Sequence, residues 1–214
     1  TLMRSSAASD VYKRQDIYVR DTKDMLMASK DLPNVYGASS PKTNAANLRT
    51  KGWEASISWN DSFNLKGKAF HYSVVLGLAD NTTKVTKYNN DNKTLGTPYE
   101  GQQLGEIWGY VVDGLFKTDE EAENYPVNQS YVNNILNISV KSQGLHAGDV
   151  KYVDLDGDNI ISPTLSANDV KDQKVIGNSL PRYTYSVRLA ADWNGIDFSA
   201  LLQGVGRQHW YPNC

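Results

Sequence analysis

Every second residue is apolar in two widely separated parts of this 214-residue chain, and that period fits β-strands that bury one face. In Gly52–Asn60, Trp53, Ala55, Ile57 and Trp59 share one face, while Glu54, Ser56, Ser58 and Asn60 share the other. A short polar link, Asp61–Lys66, leads to a second run. There Phe70, Tyr72, Val74, Leu76 and Leu78 face one way, and Ala69, His71, Ser73, Val75 and Gly77 the other. Two such runs with a short connection read as a hairpin. The pattern returns at Tyr183–Trp193, turns at Asn194-Gly195, a hairpin signal, and continues through Ile196, Phe198, Ala200 and Leu202. Asp16–Met27 alternates less cleanly and makes a fifth strand.

The connections between these strands run long, short, very long, short. Transmembrane barrels of the outer-membrane type have that habit, with tight turns on the inner side and long loops on the outer side. Placing Asp61–Lys66 and Asn194-Gly195 inside puts Asp31–Asn47 and Asp80–Arg182 both outside, without contradiction. The faces agree: Trp53, Ala55, Ile57 and Trp59 would meet lipid, and Glu54, Arg188, Asp192 and Asp197 a watery lumen. A charge on the lipid side would cost about 2–4 kcal/mol at mid-membrane, and the regular strands keep theirs off it. A half-buried soluble sheet explains the alternation equally well but not the loop parity. The fold class expected is therefore all-β: an antiparallel transmembrane barrel fragment of about five strands, with one long extracellular loop region.

Composition closes other routes. The net charge of −2 leaves no basic footprint for nucleic acid. The single cysteine, Cys214, permits no internal disulfide, and no apolar run is long enough for a membrane helix. His71, His146 and His209 are scattered, and neither G-x-S-x-G nor H-E-x-x-H occurs, so no enzyme is expected. Thr1–Gln15 lacks a leader pattern, and its SSAASDVYKRQ resembles translated adapter read-through. It is set apart from the barrel portion, 16–206, and both ends, including 207–214, read as cuts.

Within 80–182 the chain abandons the two-residue period. In Gly101–Gly114, Gly101, Gly105 and Gly109 are evenly spaced, but no GK[ST] follows, so it is no phosphate loop. Thr118 with Glu121 forms a capping box for a short helix that ends before Pro126; Glu120, Glu121 and Glu123 would be its solvated first turn. Further on, Asp154, Asp156 and Asp158 alternate as oxygen ligands do at positions 1, 3 and 5 of a calcium loop. Ile160 would offer its carbonyl, Ile161 would pack beneath, and Asn159 stands where a left-handed residue is needed. The twelfth position is Leu165, not an acid; Asp169 or Asp172 could close the loop across an insertion. Two readings stand: a structural Ca2+ held by Asp154, Asp156, Asp158, Ile160 and Asp172, or aspartates that build turns without metal. No other cofactor is expected.

Taken together, NLRTKGWEASISW, GYVVDGLF, GDVKYVDLDGDNI and VIGNSLPRYTYSVRLAADWNGIDFSALLQG resemble the C-terminal part of SusC/RagA-type TonB-linked outer-membrane proteins. The matching positions are Gly52 and Glu54; Gly109, Tyr110, Gly114 and Phe116; Gly148, Asp149, Tyr152, Asp154, Asp156 and Asp158; Ile176, Gly177 and Pro181; and Gln203-Gly204. Asn159 departs from the family's loop glycine, and Ser162–Lys171 is longer than its pattern. The resemblance implies import of glycans or peptides across the outer membrane of Bacteroidetes-type bacteria. It also implies a SusD-like lipoprotein as lid and energy from the TonB complex. Trp108, Tyr110 and Phe116 would then contact ligand or lid, or form the loop's own small core. The competing class is a secreted or surface β-sandwich that binds glycans and carries a calcium loop.

Overall fold

The computed structural model describes residues 10–28, 42–135 and 145–210. Five antiparallel strands form one sheet: β1 (Asp10–Ala28), β2 (Lys42–Leu65), β3 (Lys68–Lys87) and, after a long excursion, β8 (Arg182–Trp193) and β9 (Ile196–Arg207). They lie in the order β1-β2-β3-β8-β9, so the two ends of the excursion return to neighbouring strands. The β3–β8 register runs from Phe70↔Trp193 to Ala79↔Thr184, and β8–β9 from Arg182↔Arg207 to Trp193↔Ile196. The sheet curls part of the way towards a barrel.

Both tight turns have the same chemistry. Lys66 and Gly67 have φ of 51° and 80°, and Asn194 and Gly195 have 52° and 83°. Two central residues with positive φ give the type I′ turn, whose twist matches that of the flanking strands. The link expected over Asp61–Lys66 is thus only Lys66-Gly67, because β2 continues through Leu65. Lysine at the first turn position hid this signal, whereas Asn194 displayed it. The ring of Tyr185 lies over Gly204 on the neighbouring strand, where a Cβ would collide with it. An aromatic ring covering a cross-strand glycine helps pin the register.

Strands also outrun their apolar stretches. β3 continues past Leu78 to Lys87, and β2 begins at Lys42, inside the stretch expected to be loop. A ladder of backbone hydrogen bonds needs a partner strand, not apolar side chains, so polar composition did not stop these strands. At the far end of β3, the Val85 amide donates to the Gln102 carbonyl, and the Gly101 amide to the Val85 carbonyl, both at 2.9 Å. β1 likewise begins at Asp10, ahead of the expected Asp16. The remainder of the Asp31–Asn47 loop lies outside the described residues.

The excursion contains structure the sequence did not display. β4 (Glu106–Tyr110) pairs with β7 (Gln173–Asn178), and β5 (Val112–Leu115) with β6 (Val150–Tyr152), each antiparallel and each broken by a bulge. Two short helices lie between β5 and β6: α1 (Asp119–Glu123) and α2 (Ser130–Ile135). The chain divides into a sheet unit (Thr1–Lys23, Leu48–Lys84, Leu180–Trp210) and a second unit that contains Val85–Ser179. Among the described residues the buried hydrophobic side chains are Ala46, Val85, Tyr99, Phe116, Ala122, Val132 and Ile161. All belong to the second unit and none to the sheet unit.

Candidate functional site

The sheet unit keeps its apolar face open. Ile57, Trp59, Phe63, Leu76, Leu78, Phe198 and Leu202 are all exposed, between 42% and 59%. Such a continuous apolar surface marks a face that meets something other than water. Near the two-residue turn its aromatic rings gather: Phe63 and Phe70 have centroids 5.0 Å apart, and Trp59 and Tyr72 6.5 Å. Toward the other end, both oxygens of the enclosed Asp80 accept from Arg182, Nε and Nη2 each at 2.5 Å. From Phe70 to Asp80 is about ten residues, which at ~3.4 Å each and a tilt of ~40° cover about 26 Å along the membrane normal. The apolar band of an outer-membrane barrel is about 25 Å tall, flanked by aromatic girdles.

The opposite face carries the polar and charged side chains, interspersed with Val75, Leu201 and Val205. A groove of about 660 Å³ is lined by Glu54, Ser56, Thr184, Ser186 and Gln203, together with Ala79 and Val205, and with Arg14 and Asp16 from β1. A smaller concavity nearer the turns is lined by His71, Ser73, Asp192, Asp197 and Ser199. Gly77 and Ser186 are registered partners, and the missing Cβ leaves room for the serine hydroxyl. Thr50 and Thr83 share a hydroxyl–hydroxyl bond of 2.9 Å, so even an enclosed polar group is paired.

In the second unit the acidic loop is built by its own carboxylates. Asp154 accepts the amides of Gly157 and Asn159, both at 2.7 Å; Asp158 accepts that of Ile160 at 2.8 Å. Asn159 has φ 63°, the left-handed conformation expected of it. Burial raises the Asp154 carboxyl pKa, but the Asn159 and Gly157 amides outweigh it and hold that pKa below the usual range. One oxygen from each of Asp154, Asp156 and Asp158 lies within 4.8 Å of the others. Asp172 does not join that group. It is fully enclosed, and its two oxygens accept the amides of Leu155 at 2.8 Å and Ser162 at 2.7 Å. The Ile160 side chain is exposed, while its neighbour Ile161 is fully enclosed, as expected of the residue beneath the loop. The Ile161 amide bonds the Asn128 carbonyl at 2.8 Å, which ties the loop to the segment before α2.

The helix start expected from Thr118 and Glu121 forms as a cap. Thr118 Oγ1 accepts the Glu121 amide at 3.1 Å, and Glu121 Oε2 accepts the Lys117 amide at 2.9 Å. Glu120 and Glu123 are exposed, but Glu121 is not a solvated first-turn acid: Lys151 donates to it at 2.5 Å. The Lys151 ammonium, with the Lys117 amide, holds the Glu121 carboxyl below its usual range, and Glu121 raises the lysine in turn. Thr118→Ala removes the N-cap and is expected to cost about 1 kcal/mol of local stability. Amide hydrogen exchange at Glu121 should then accelerate about fivefold, with the sheet unit's exchange unchanged.

The three aromatic residues singled out in the sequence take different positions. Phe116 is 2% exposed, edge-on to Tyr125 at 5.1 Å and beneath the Lys151 ammonium at 5.2 Å. Its ring is enclosed by the loop's own core. Trp108 is half-buried, and its Nε1 donates to Glu106 Oε1 at 3.0 Å. Tyr99 also donates its hydroxyl to Glu106; burial first, then Glu106, push Tyr99 up to about 12. Tyr110 lies 5.6 Å from Tyr152, and burial lifts its hydroxyl to about 12. Sequence reasoning missed two polar residues at the heart of this unit. Gln129, almost fully enclosed, donates to the Val150 carbonyl at 2.8 Å and accepts the Tyr152 amide at 3.4 Å, so its side chain acts as a strand partner for β6. Glu106 gathers Tyr99, Trp108 and the Gln103 amide. No local pattern announces either role.

Comparison with known proteins agrees with the geometry. No protein-family model matches the chain. It is 29% identical over 217 residues to TonB-dependent receptor P39 of Formosa agariphila, covering 87% of this chain and 19% of that receptor. It is 24% identical over 201 residues to TonB-dependent receptor P3 of the same organism, covering 88% and 18%. Among solved structures it resembles the RagAB peptide transporter, with a TM-score of 0.54 at 15% identity over 90% of this chain and 19% of that one. The same importer in its open-open state gives 0.54 at 18% identity, over 89% and 18%. The chain thus spans about a fifth of the length of the relatives it matches. The strand order, the exposed apolar face and these likenesses give this chain the fold of an outer-membrane β-barrel segment, shared with RagAB, and make it similar over most of its length to TonB-dependent receptors.

Proposed function

We propose that the chain forms part of the wall and one long outer loop of a TonB-dependent transporter that imports glycans or peptides together with a SusD-like lipoprotein. The observation that carries this reading is the sheet unit itself. Its apolar side chains alternate along every regular strand, yet among the described residues none is enclosed by protein. A soluble sheet would bury that face against a second layer. Lipid on one side and a water-filled passage on the other accounts for both faces. The polar groove lined by Glu54, Ser56, Ser186 and Gln203 would then border the passage, and a hydroxyl- and amide-rich wall suits a hydrogen-bonding cargo such as a glycan or a peptide. Of the loop aromatics, Trp108 and Tyr110 are half-buried and would touch cargo or lid, whereas the enclosed Phe116 would support them. Energy from the TonB complex would act through parts of the receptor outside this stretch, and no catalytic step is assigned to it.

Fractionation and uptake test the reading. The whole protein should pellet with outer membranes and need detergent for release. Deleting its gene should abolish uptake of one fluorescently labelled oligosaccharide or peptide class, and complementation should restore it. Recovery of the 214-residue chain as a cooperatively folding monomer without detergent or lipid would overturn the proposal.

A further inference from the structure

The acidic loop raises a question that transport does not answer: what balances three carboxylates placed so close together. We propose that the tethered ammonium of Lys171 is the loop's cation, so that the loop folds without a divalent metal.

The donor set fits calcium poorly. Calcium takes six to eight oxygens and, in a loop of this pattern, a closing acid that supplies two of them. Leu165 stands at the closing position, apolar and 70% exposed. Asp172, the enclosed acid that follows the longer turn, has both oxygens taken by the Leu155 and Ser162 amides. It closes the loop through backbone hydrogen bonds rather than through an ion. Lys171 comes immediately before it in sequence. Its Nζ is 3.2 Å from Asp156 Oδ2, and the negative charges of Asp158 and Asp169 also act on it. The ammonium therefore supplies positive charge directly to Asp156, one of the three clustered acids, with a single charge and a fixed tether.

The idea is tested on the full chain in detergent micelles, with calcium as the probe. Calorimetric titration and melting of the tyrosine near-ultraviolet signal should show no difference between wild type in EDTA and in about 1 mM CaCl2, a concentration that at least half-fills even the weaker extracellular calcium modules. Lys171→Gln leaves the three carboxylates unbalanced. That variant should melt earlier in EDTA, bind calcium at least about tenfold more tightly than wild type, and recover its melting temperature when calcium is added. Lys171→Arg, which keeps the charge, should remain indifferent to calcium. Saturable calcium binding by wild type below about 1 mM overturns the proposal. So does a Lys171→Gln variant that gains no calcium binding, whether or not it is destabilised.

Discussion

Val74→Arg, in the whole receptor, is expected to cost about 2–4 kcal/mol of folding stability in lipid, while Ser73→Arg next to it stays within about 0.5 kcal/mol. The two positions differ only in the face they occupy. Val74 pairs with Leu189 near the middle of the apolar band, and Ser73 pairs with Ala190 on the polar face. An arginine on the lipid side must lose its hydration or drag water into the bilayer, whereas one facing the lumen keeps its water. Urea titration of receptor refolded into phospholipid vesicles reads the difference, and outer-membrane abundance in cells should follow it. Equal effects at the two positions would mean that the sheet does not separate lipid from water.

Asp172→Ala is expected to destabilise the second unit by about 2–6 kcal/mol, since each of the two backbone amides left without a partner costs about 1–3 kcal/mol. The two amides concerned, Leu155 and Ser162, flank the acidic loop, so their hydrogen exchange should rise most. Asp169→Ala removes an exposed acid of the same segment and should change stability by less than about 0.5 kcal/mol. Asp172→Asn keeps one acceptor oxygen and should fall between them. If Asp169→Ala is the more damaging change, the closing role belongs to the other acid. The sheet unit's resistance to urea should be unaffected by all three, because its strands pair with one another over their own register.

Much of the barrel wall was legible because strand alternation is a local code. The period in Trp53–Trp59, Phe70–Leu78, Tyr183–Trp193 and Ile196–Leu202 assigns faces with no knowledge of neighbours. The Asn194-Gly195 turn was equally readable. Lys66-Gly67 was not, since a lysine with positive φ is tolerated there only because the hairpin around it enforces the turn. The strand ends were misjudged for a related reason: Lys42–Asn47 and Thr82–Lys87 are mostly polar, and available partners extend the ladder to them.

The second unit divides differently. Its helix cap and its left-handed Asn159 arise from contacts within a few residues, and both could be anticipated. The paired strands β4–β7 and β5–β6 join segments 35 or more residues apart, and no short-range period marks them.

By itself the sequence determined which side of each regular strand is oily, where the chain returns to the sheet, and that three acids share one loop. Each of these depends on side chains at fixed short spacing. Only the tertiary structure decided that Asp172 closes that loop, that Lys171 answers its charge, that Phe116 lies inside the loop's core and that Asp80 pairs with Arg182. Those partners are ten to a hundred residues apart, and which of many acids or lysines meets which amide is settled only when the packed chain brings them within hydrogen-bonding distance.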